Sequence, residues 1–580
     1  MKVIRDNIHG DIEFNPREMK LLQTAEFERL HGCRQLGLSH LIYPGAKHSR
    51  FEHVLGVMHV ATRIAKRMKK QGQFFQKESG GDELMQILRF AALLHDMGHV
   101  PFGHTLEDEM PVISKHDDPS DGNVQGETSG DKTPLPKPQS RMNIAVSNAL
   151  KASGNQKFIK PVLEVLKAID ASKDDDKVDN LVRGGEIKAE YLVLADIIGN
   201  TICADLLDYI RRDHAMAGIQ GRYDSRIFRY FGVGNYNGYQ RAVIQLVKTG
   251  RFRNDALADL LDILKLRFNL SDKVLFHPKK CAADAMLIRA VGEAGLTAED
   301  LMRHSDDGLL DHLRDRPLIR MIRQWKLFKP VFVCGLVQIN TYGQVHKKTE
   351  LIEKLHKDVS LRQEIESRIQ SELGFPAGRS SVLIFCPRPK MTLKPVRALV
   401  QWKDGTVWRL NDIGEDDDRL THNQVALLED IYSQLWKLYL FVDPDLRSHA
   451  ETLQRKFCSI LKERIGLSAT CDLAFQNYLE DCSDVKLGRL LDNEVSQHAT
   501  ARSFSPDHRA RISFKCHMRI PADPNSDEYA EQSVEVLESR KDEPALTRRI
   551  RDIVDSVVRE ETAGKREAQT QLNLNPKEGS

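Results

Sequence analysis

Apolar residues recur at helical spacing through most of the first 330 positions of the chain. The clearest stretches run from Phe158 to Ile169, from about Glu190 to Asp213 and from Asn254 to Leu266. Apolar positions that repeat every three to four residues lie on one face of a helix, and that face is buried against other helices. The pattern therefore predicts a mainly α-helical N-terminal part.

The pattern changes after about residue 330, where short runs rich in β-branched and aromatic residues begin. An Asp404-Gly405 turn signal separates the last two runs and predicts a hairpin. Helical patterns return from Gln424 to Leu440 and from Arg447 to Leu461. We therefore expect a mainly α protein with a smaller α+β C-terminal region, whose predicted strands are VFVCGLVQI, SSVLIFCP, VRALVQW and GTVWRL.

Composition divides the chain into three predicted parts. Residues 1–330 form the helical core, which a polar insertion rich in Asp, Ser, Gly, Pro and Lys interrupts at about 111–141. Such a segment buries too little apolar surface to offset the entropy lost on ordering, which predicts a mobile insertion or lid. Residues 331–530 are the predicted α+β lobe, and residues 531–580 are a charged, partly disordered tail.

The overall composition is that of an ordinary globular protein of 580 residues, with 41% hydrophobic and 29% charged residues. Lys and Arg total 85 against 83 Asp and Glu, so the net charge of +2 predicts neither a membrane partner nor a requirement for nucleic acid. Arginines alternate with aromatic residues at 222–239, which could form a single-strand binding surface. A helix end followed by an Asn/Gly loop is the simpler interpretation of this segment.

Two features of the sequence predict a cytoplasmic location. No apolar run approaches the roughly 18 residues that span a bilayer, and the N-terminal segment lacks the apolar core of a secretory signal. The nine cysteines form no Cys-x-x-Cys motif, so we expect reduced thiols in the core rather than disulfides or a structural zinc site.

Histidines and aspartates in three separate segments could bind one divalent metal ion. His53 begins an apolar helix, the pair His95-Asp96 follows the apolar run FAALL, and Asp205 lies in ICADLLDYIRRD. Two imidazoles and two carboxylates form a mixed nitrogen and oxygen ligand set that leaves coordination positions for water and substrate. This set does not distinguish among Mn, Mg, Fe, Co, Ni and Zn.

An isolated His-Asp pair at a helix end could instead cap that helix, but the neighbouring residues favour a site. His95, Asp96, His99 and His104 lie within ten residues. Imidazoles titrate near neutral pH, so a cluster of them suits a site that binds phosphate and transfers protons.

The third segment carries a further pattern. If residues 190–213 are helical, Asp205, Tyr209 and Asp213 fall at i, i+4 and i+8 on one helix face. That arrangement would hold a metal beside a sugar hydroxyl. In the alternative, Tyr209 belongs to the core and Asp213 is a surface charge paired with Arg211 or Arg212.

These segments resemble the HD-domain metal phosphohydrolases, and within them the deoxynucleoside triphosphate triphosphohydrolases, which include a mammalian SAM and HD domain protein and bacterial relatives. The resemblance follows several motifs in order through about residue 220, continues more weakly to about residue 300, and is not traceable beyond about 440. The motifs are KVIRDNIHGDIEFNPREMKLLQTAEFERL, RQLGLSHLIYPGAKHSRFEHVLGV, HDMGHVPFGHTLED and ADLLDYIRRDHAMAGI.

The resemblance implies a role for each matching residue. The implied metal ligands are His53, His95, Asp96 and Asp205, and the implied phosphate-binding residues are Arg50 and Arg267. His99 and His104 match pocket histidines, with His104 as the proton donor to the leaving 5′ oxygen, and His116 matches a further one. Tyr209 and Asp213 match the residues that read the sugar 3′-hydroxyl, while Gln35 and Leu36 match the pocket edge that excludes a 2′-hydroxyl.

Two departures from the family pattern limit what is carried over. Relatives usually have Lys or Arg immediately after the last metal aspartate, where it binds phosphate, whereas this chain has Leu206. The guanine-specific activator site of the mammalian protein uses Asp and Arg at positions that are Gln23 and His31 here. One phosphate contact is therefore missing or supplied elsewhere, and activation by GTP is not implied.

The resemblance implies a metal-dependent dNTP triphosphohydrolase, in which water attacks the α-phosphorus and releases deoxynucleoside and tripolyphosphate. It also implies a homo-oligomer, a possible nucleotide effector and a possible use in antiviral dNTP depletion. Two alternatives remain open because of Leu206. One is an HD phosphohydrolase acting on another nucleotide or on a nucleic-acid phosphate ester, and the other is a nucleotide-sensing regulatory protein.

Overall fold

The computed structural model describes residues 1–76, 80–109, 140–172, 174–336, 339–341, 348–375, 380–388 and 397–469, together with the backbone of 511–521 and 529–539. His116 and all but the last two residues of the predicted insertion at 111–141 lie outside these ranges. The chain forms two compact units, Met1–Cys471 and Asp472–Ser580.

Helices dominate the N-terminal part of the first unit, as the apolar pattern predicted. The helices are α1 (Pro16–Leu22), α2 (Ala25–His31), α3 (Arg50–Lys70), α4 (Gly81–Leu94), α5 (His104–Glu109), α6 (Arg141–Ala152), α7 (Ile159–Ala171), α8 (Asp175–Arg183), α9 (Tyr191–Gly199), α10 (Ala204–Ala217), α11 (Asn254–Leu270), α12 (Pro278–Ala294), α13 (Ala298–Leu301), α14 (Asp306–His312) and α15 (Pro317–Arg323). The strands are β1 (Lys2–Asp6), β2 (Gly10–Phe14), β3 (Phe231–Tyr236), β4 (Tyr239–Gln245), β5 (Val247–Lys248) and β6 (Arg251–Phe252).

Helix α3 lies at the centre of this part and packs against α4, α9 and α10. Ser49 caps its N-terminus, because the Ser49 side chain accepts from the Glu52 backbone while the Glu52 side chain accepts from the Ser49 backbone. Val54, Val57 and Met58 of the same helix are fully buried in the main core. The first turn of α3 is therefore held in a defined orientation at the edge of the core.

The predicted continuous helix from 190 to 213 is instead two helices, α9 and α10. Asn200 has an extended backbone, and Cys203 caps α10 by accepting from the backbone of Leu206. The break places Asp205 in the first turn of α10. A carboxylate at a helix N-terminus is stabilised by the helix dipole, so this position suits an ionised side chain.

The segment at 222–239 contains a β-hairpin, so the interpretation as a helix end and loop was wrong. Strands β3 and β4 pair antiparallel across a two-residue turn at Asn237 and Gly238. Both turn residues have positive φ, 51° and 83°, as a type I′ hairpin turn requires. The Asn-Gly pair between two aromatic-rich runs was the missed signal.

The later part of the first unit is a mixture of short helices and strands, which confirms a mainly α fold with a smaller α+β region. Its strands are β7 (Lys329–Gly335), β8 (Ile339–Thr341), β9 (Val382–Phe385), β10 (Leu399–Gln401), β11 (Val407–Arg409), β12 (Lys437–Val442) and β13 (Leu467–Ala469). Its helices are α16 (Lys348–Lys357), α17 (Val359–Glu372), α18 (Glu415–Ser433) and α19 (Ala450–Ile465).

The predicted helix from Gln424 to Leu440 was wrong at its C-terminal end, where β12 begins. Strand β12 is the central strand of the antiparallel sheet β7-β12-β9. Leu438 and Leu440 face one core, while Tyr439 and Phe441 face a second core on the other side. A strand buried on both faces is a continuous apolar run, which periodicity alone does not distinguish from a buried helix.

A four-stranded sheet joins the two parts of the first unit, with the strand order β11-β10-β4-β3. The turn at Asp404-Gly405 connects β10 and β11 as an antiparallel hairpin, which confirms that prediction. Strand β10 pairs parallel with β4, with Val400 opposite Ile244. The sheet thus combines strands that are more than 150 residues apart in the chain.

The second unit contains one antiparallel pair within its described backbone, β14 (Arg511–Pro521) and β15 (Tyr529–Ser539). Among the helices that the structure describes, none combines the length and apolarity needed to cross a bilayer.

Candidate metal centre

Three of the four predicted metal ligands converge at one point. His53 lies in the first turn of α3, His95 is the residue after α4, and Asp205 lies in the first turn of α10. Asp205 Oδ1 is 3.1 Å from His53 Nε2 and 3.9 Å from His95 Nε2. One ligand atom from each residue lies within 4.8 Å of the others, a spacing that one metal ion can bridge.

The hydrogen bonds of the two histidines leave the right atoms for a cation. His53 Nδ1 donates to Asp208 at 2.8 Å, and His95 Nδ1 lies 2.8 Å from the backbone oxygen of Ala92. The Nε2 atoms of both rings are buried and face the carboxylate of Asp205. Because the Nδ1 atoms are engaged, the Nε2 lone pairs face the shared point, and these residues fit a divalent metal.

The charges of the centre also favour a bound cation. Burial alone would lower the pKa of His53, but hydrogen bonds to Asp205 and Asp208 and the charge of Asp96 raise it to about 10. Burial would raise the pKa of Asp205, yet His53 and His95 lower it below its usual range. Asp205 keeps 32% of its side chain exposed, so the centre opens to solvent on that side.

Asp96, the fourth predicted ligand, lies beside this group and is ion-paired. Its Oδ2 accepts from Arg50 at 2.6 Å and is 3.8 Å from His53 Nε2, while its Oδ1 is 3.4 Å from His95 Nε2. Burial would raise its pKa, but the charges of His95 and Arg50 hold it well below the usual range. Arg50, the predicted phosphate-binding residue, is 2% exposed and lies directly at the centre.

A buried ionic network supports the centre from behind, and sequence reasoning missed it. Asp208 is fully buried and accepts from His53, from His9 Nε2 at 2.7 Å and from Arg212 at 2.9 Å. Arg212 also donates to Asp6 at 2.9 Å. A Cβ on Gly56 would lie 1.9 Å from Asp208 Oδ1, so only glycine fits there.

The two predicted pocket histidines pack edge to face on the Asp96 side of the centre, with ring centroids 4.9 Å apart. His99 is buried; its Nδ1 donates to Glu107 at 2.8 Å and its Nε2 lies 3.4 Å from Asp96. The side chain of His104 is 61% exposed, with Nδ1 3.1 Å from Asp108. The exposed ring of His104 is therefore the one that a solvent-borne ligand can reach.

The loop between these histidines is held by a buried carboxylate from α14. Asp306 accepts from the backbone of Phe102 at 2.8 Å and from the backbone of Arg34 at 3.0 Å. Phe102 and Gly103 have positive φ, and a Cβ on Gly103 would lie 2.2 Å from an Arg50 nitrogen. Burial raises the pKa of Asp306 to about 6.

The predicted sugar-side residues gather on the other flank of Asp205. Leu36 is 5% exposed and belongs to a small apolar cluster against which Tyr209 packs. Burial raises the pKa of Tyr209, while the charge of Arg267 opposes this rise. Burial would lower the pKa of Arg267, but the charges of Tyr209 and Asp205 help to raise it. Asp205, Tyr209 and Arg267 therefore lie near one another.

Asp213 and Gln35 belong to the same flank, and both contact His48, a residue that the sequence analysis did not single out. Asp213 is 3% exposed, so it is not the surface charge of the alternative interpretation. Its Oδ1 accepts from His48 Nε2 at 2.7 Å. The backbone N–H of Gln35 donates to the carbonyl of His48 at 3.0 Å.

The two departures from the family pattern have clear structural settings. Leu206 is 3% exposed and belongs to the main hydrophobic core, so its side chain makes no phosphate contact. The His31 ring stacks on Phe51 with centroids 3.6 Å apart. Of the six cysteines whose side chains the structure describes, Cys458 is partly exposed and the other five are buried as predicted, namely Cys33, Cys203, Cys281, Cys334 and Cys386.

Comparison with known proteins agrees with this geometry. The family model described as "HD domain" matches residues 50–211, which include the three converging ligands. The uncharacterized protein MJ1154 of Methanocaldococcus jannaschii is 28% identical over 438 residues, covering 74% of this chain and 78% of the relative.

The deoxynucleoside triphosphate triphosphohydrolase SAMHD1 of Xenopus laevis is 28% identical over 246 residues, covering 40% of this chain and 37% of the relative. SAMHD1 of Bos taurus is 39% identical over 115 residues, covering 20% and 19%. The crystal structure of a phosphohydrolase, BT4208, from Bacteroides thetaiotaomicron shares the fold, with a TM-score of 0.51 and 19% identity over 76% of this chain and 100% of that one. The chain carries an HD domain, and these matches support a metal-dependent phosphohydrolase related to the SAMHD1 proteins.

Proposed function

We propose that this protein is a metal-dependent dNTP triphosphohydrolase that releases deoxynucleoside and tripolyphosphate. The observation that carries the proposal is the arrangement of two different flanks around one metal centre. Arg50, His99 and His104 lie on the flank beside Asp96, while Leu36, Tyr209 and Arg267 lie on the flank beside Asp205. A cationic flank suits phosphates, and a mixed apolar and phenolic flank suits a sugar. Relatives bearing the name deoxynucleoside triphosphate triphosphohydrolase support this choice of substrate.

Each flank has a proposed part in the reaction. A divalent metal, when bound by His53, His95, Asp205 and the adjacent Asp96, supplies Lewis acidity and lowers the pKa of water. Arg50 would exchange its contact with Asp96 for phosphate oxygens, which a guanidinium binds in bidentate fashion. His104 is exposed enough to give a proton to the leaving 5′ oxygen.

The sugar flank has the residues to select a deoxyribose. Tyr209 and Asp213 would hydrogen-bond the 3′-hydroxyl, and Gln35 would lie with Leu36 at the edge of the sugar pocket. Leu36, which is 5% exposed in its apolar cluster, would leave an additional 2′-hydroxyl without room or partner. Arg267 would bind a phosphate from the same side, since its charge acts on both Tyr209 and Asp205.

The buried position of Leu206 favours one alternative, a phosphohydrolase that acts on a different phosphate ester. Since that residue supplies no cation, the protein would bind a triphosphate with one contact fewer than its relatives. A substrate with fewer phosphates, another nucleotide or a nucleic-acid phosphate ester, is therefore the second candidate. A protein that senses nucleotides without turnover is the third.

Product analysis separates these candidates. The purified protein is incubated with each dNTP singly and in mixture, with Mn or Mg, and the products are resolved by ion-exchange chromatography. Tripolyphosphate supports the proposal, orthophosphate or shortened oligonucleotides support the second candidate, and thermal protection without turnover supports the third. Asp205→Ala abolishes the activity if it arises at this centre, while Asp82→Asn, at an exposed ion pair with Lys69, serves as control.

Several wider properties belong to the same proposal. We propose that residues 1–330 carry the catalysis and that residues 331–530 form an accessory lobe, with 531–580 as a tail. The protein would act as a cytoplasmic homo-oligomer that a nucleotide effector regulates and that depletes dNTPs in antiviral defence. Light scattering tests the oligomer, and the mixed-dNTP arm of the product assay tests the effector.

A further inference from the structure

His48 connects two residues of the sugar flank that lie far apart in the chain. Its carbonyl accepts from the backbone of Gln35 at 3.0 Å, and its ring Nε2 donates to Asp213 Oδ1 at 2.7 Å. Gln35 follows α2 and Asp213 lies in α10, so no helix or strand joins them. The His48 ring therefore fixes the Asp213 carboxylate, while its carbonyl holds the backbone of Gln35.

His48 lies in a buried environment in which some polar atoms have no hydrogen-bond partner. His48 is 4% exposed and Asp213 is 3% exposed, so water does not readily replace their contact. His48 Nδ1 and Gln35 Oε1 are buried and form no hydrogen bond with any described residue. A buried polar atom without a partner is costly, and such atoms are common where a polar ligand supplies the missing bond.

We propose that His48 is a positioning residue that orients the Asp213 carboxylate, and that this orientation gives the enzyme its preference for a substrate with a 3′-hydroxyl. The inference rests on the proposed function, since it names the sugar group that the same site reads. Asp213 uses Oδ1 for His48, which leaves Oδ2 to accept from a hydroxyl.

The physical basis is the cost of an unpaired polar group. When a substrate lacks the hydroxyl, the buried acceptors of the flank remain unsatisfied, and the substrate is rejected. This discrimination requires the acceptor atoms to lie within hydrogen-bond distance of the substrate hydroxyl. Without the His48 ring, the Asp213 carboxylate loses its donor and is free to move or to recruit water, so the advantage of the hydroxyl falls.

The test compares kcat/KM for a dNTP with that for its 2′,3′-dideoxy analogue in four variants. His48→Leu removes the ring donor, His48→Gln retains an N–H at a similar reach, and Asp213→Asn removes the carboxylate. His312→Leu is the matched control, since His312 is exposed and contacts only the ring of His304 among the described aromatic residues. Metal content by elemental analysis is measured in parallel.

We expect the wild-type preference for the 3′-hydroxyl to fall about tenfold or more in His48→Leu and Asp213→Asn, mainly through KM of the dNTP. His48→Gln retains the preference within about threefold of wild type, and metal content stays at the wild-type level in all variants. A merely structural role would lower kcat for both substrates alike and leave the preference unchanged.

Three results would overturn the inference: an unchanged preference in His48→Leu, an unchanged preference in Asp213→Asn, or equal loss in His48→Gln and His48→Leu. If His48→Leu does not fold, Asp213→Asn and His48→Gln still decide the matter. Failure of the proposed function is a separate outcome, because the wild-type protein would then release no tripolyphosphate from any dNTP.

Discussion

The Nδ1 atom of His53 donates a hydrogen bond of 2.8 Å to the fully buried carboxylate of Asp208. This contact directs the other ring nitrogen, Nε2, toward His95 and Asp205. Carboxylate partners of this kind orient a metal-binding imidazole and increase its basicity. The carboxylate is itself held by His9 and Arg212, so the orientation of His53 depends on side chains from α10 and from the turn between β1 and β2.

Replacing Asp208 is expected to weaken metal binding without touching a ligand. Asp208→Asn presents an amide to His9 and His53 and leaves the Arg212 charge less compensated. We expect metal affinity, measured by isothermal titration calorimetry, to fall by about 10- to 100-fold. Asp82→Asn, at an exposed ion pair, is the matched control and leaves the affinity unchanged. Wild-type affinity in Asp208→Asn would contradict this role.

Glycine at position 56 is expected to be indispensable for the same network. Gly56→Ala would place a methyl group 1.9 Å from Asp208 Oδ1 and 2.4 Å from an Arg212 nitrogen. We expect a loss of stability of about 2 to 3 kcal/mol, seen as a lower unfolding midpoint in urea. Gly72→Ala has open space but a φ of 72°, so it costs only about 1 kcal/mol. Equal effects of the two substitutions would argue against a steric conflict.

Asp306 is expected to make stability depend on pH in a defined direction. Burial raises its pKa to about 6 in the folded protein, whereas an aspartate in the unfolded chain titrates near 3.8. Between these values the folded state holds a proton that the unfolded state has released. The resulting stabilisation is present at low pH and is lost as the pH rises through about 6.

The comparison with Asp306→Asn isolates this contribution from all other groups. Relative to that variant, the wild-type protein should lose about 2 kcal/mol of stability between pH 4.5 and pH 7.5, measured by urea unfolding of both proteins. Asp307→Asn is the control, because the side chain of Asp307 is 71% exposed. A constant difference between wild type and Asp306→Asn across this range would rule out the titration.

A lysine at position 206 is expected to destabilise the protein rather than to add a phosphate contact. Leu206 is 3% exposed in the main core, so Leu206→Lys would bury an unpaired ammonium group at a cost of several kcal/mol. Ala215→Lys, at an exposed position of the same helix, should leave the thermal midpoint nearly unchanged. A stable Leu206→Lys protein with tighter tripolyphosphate binding would show that the position can reach the site.

Removal of the metal is expected to lower the thermal midpoint. A metal that binds only the folded state stabilises it by about 2.7 kcal/mol at a free concentration one hundred times the Kd. A chelator should therefore lower the midpoint of the wild-type protein and leave that of Asp205→Ala unchanged. Similar shifts in both proteins would place the stabilising ion elsewhere.

The sequence was informative where local signals suffice. Helical periodicity predicted the helices that carry His53 and Tyr209, and the Asp-Gly turn predicted the β10–β11 hairpin. Segments with a long apolar run were ambiguous, which is why β12 was taken for a helix. The break before Asp205 was missed because the apolar residues of α9 and α10 continue across Asn200 with little change in pattern.

The residues of the candidate site were likewise predicted only in part. Residues in recognisable motifs, such as His95, could be singled out from the chain. Their supporting residues could not, because Asp208, Asp306 and His48 act through contacts between distant segments. A buried polar residue in such a network has no local signature of its partner, and only the tertiary structure supplies it.

The parallel pairing of β4 with β10 has a practical consequence for dividing the protein. A fragment ending near residue 330 would retain β3 and β4 but lose the neighbouring strand that covers the far side of β4. The amides and carbonyls around Ile244 would then be unpaired beside a buried apolar surface, an arrangement that favours aggregation. Poor solubility of such a fragment would reflect this missing strand and would say nothing about whether the metal centre can catalyse.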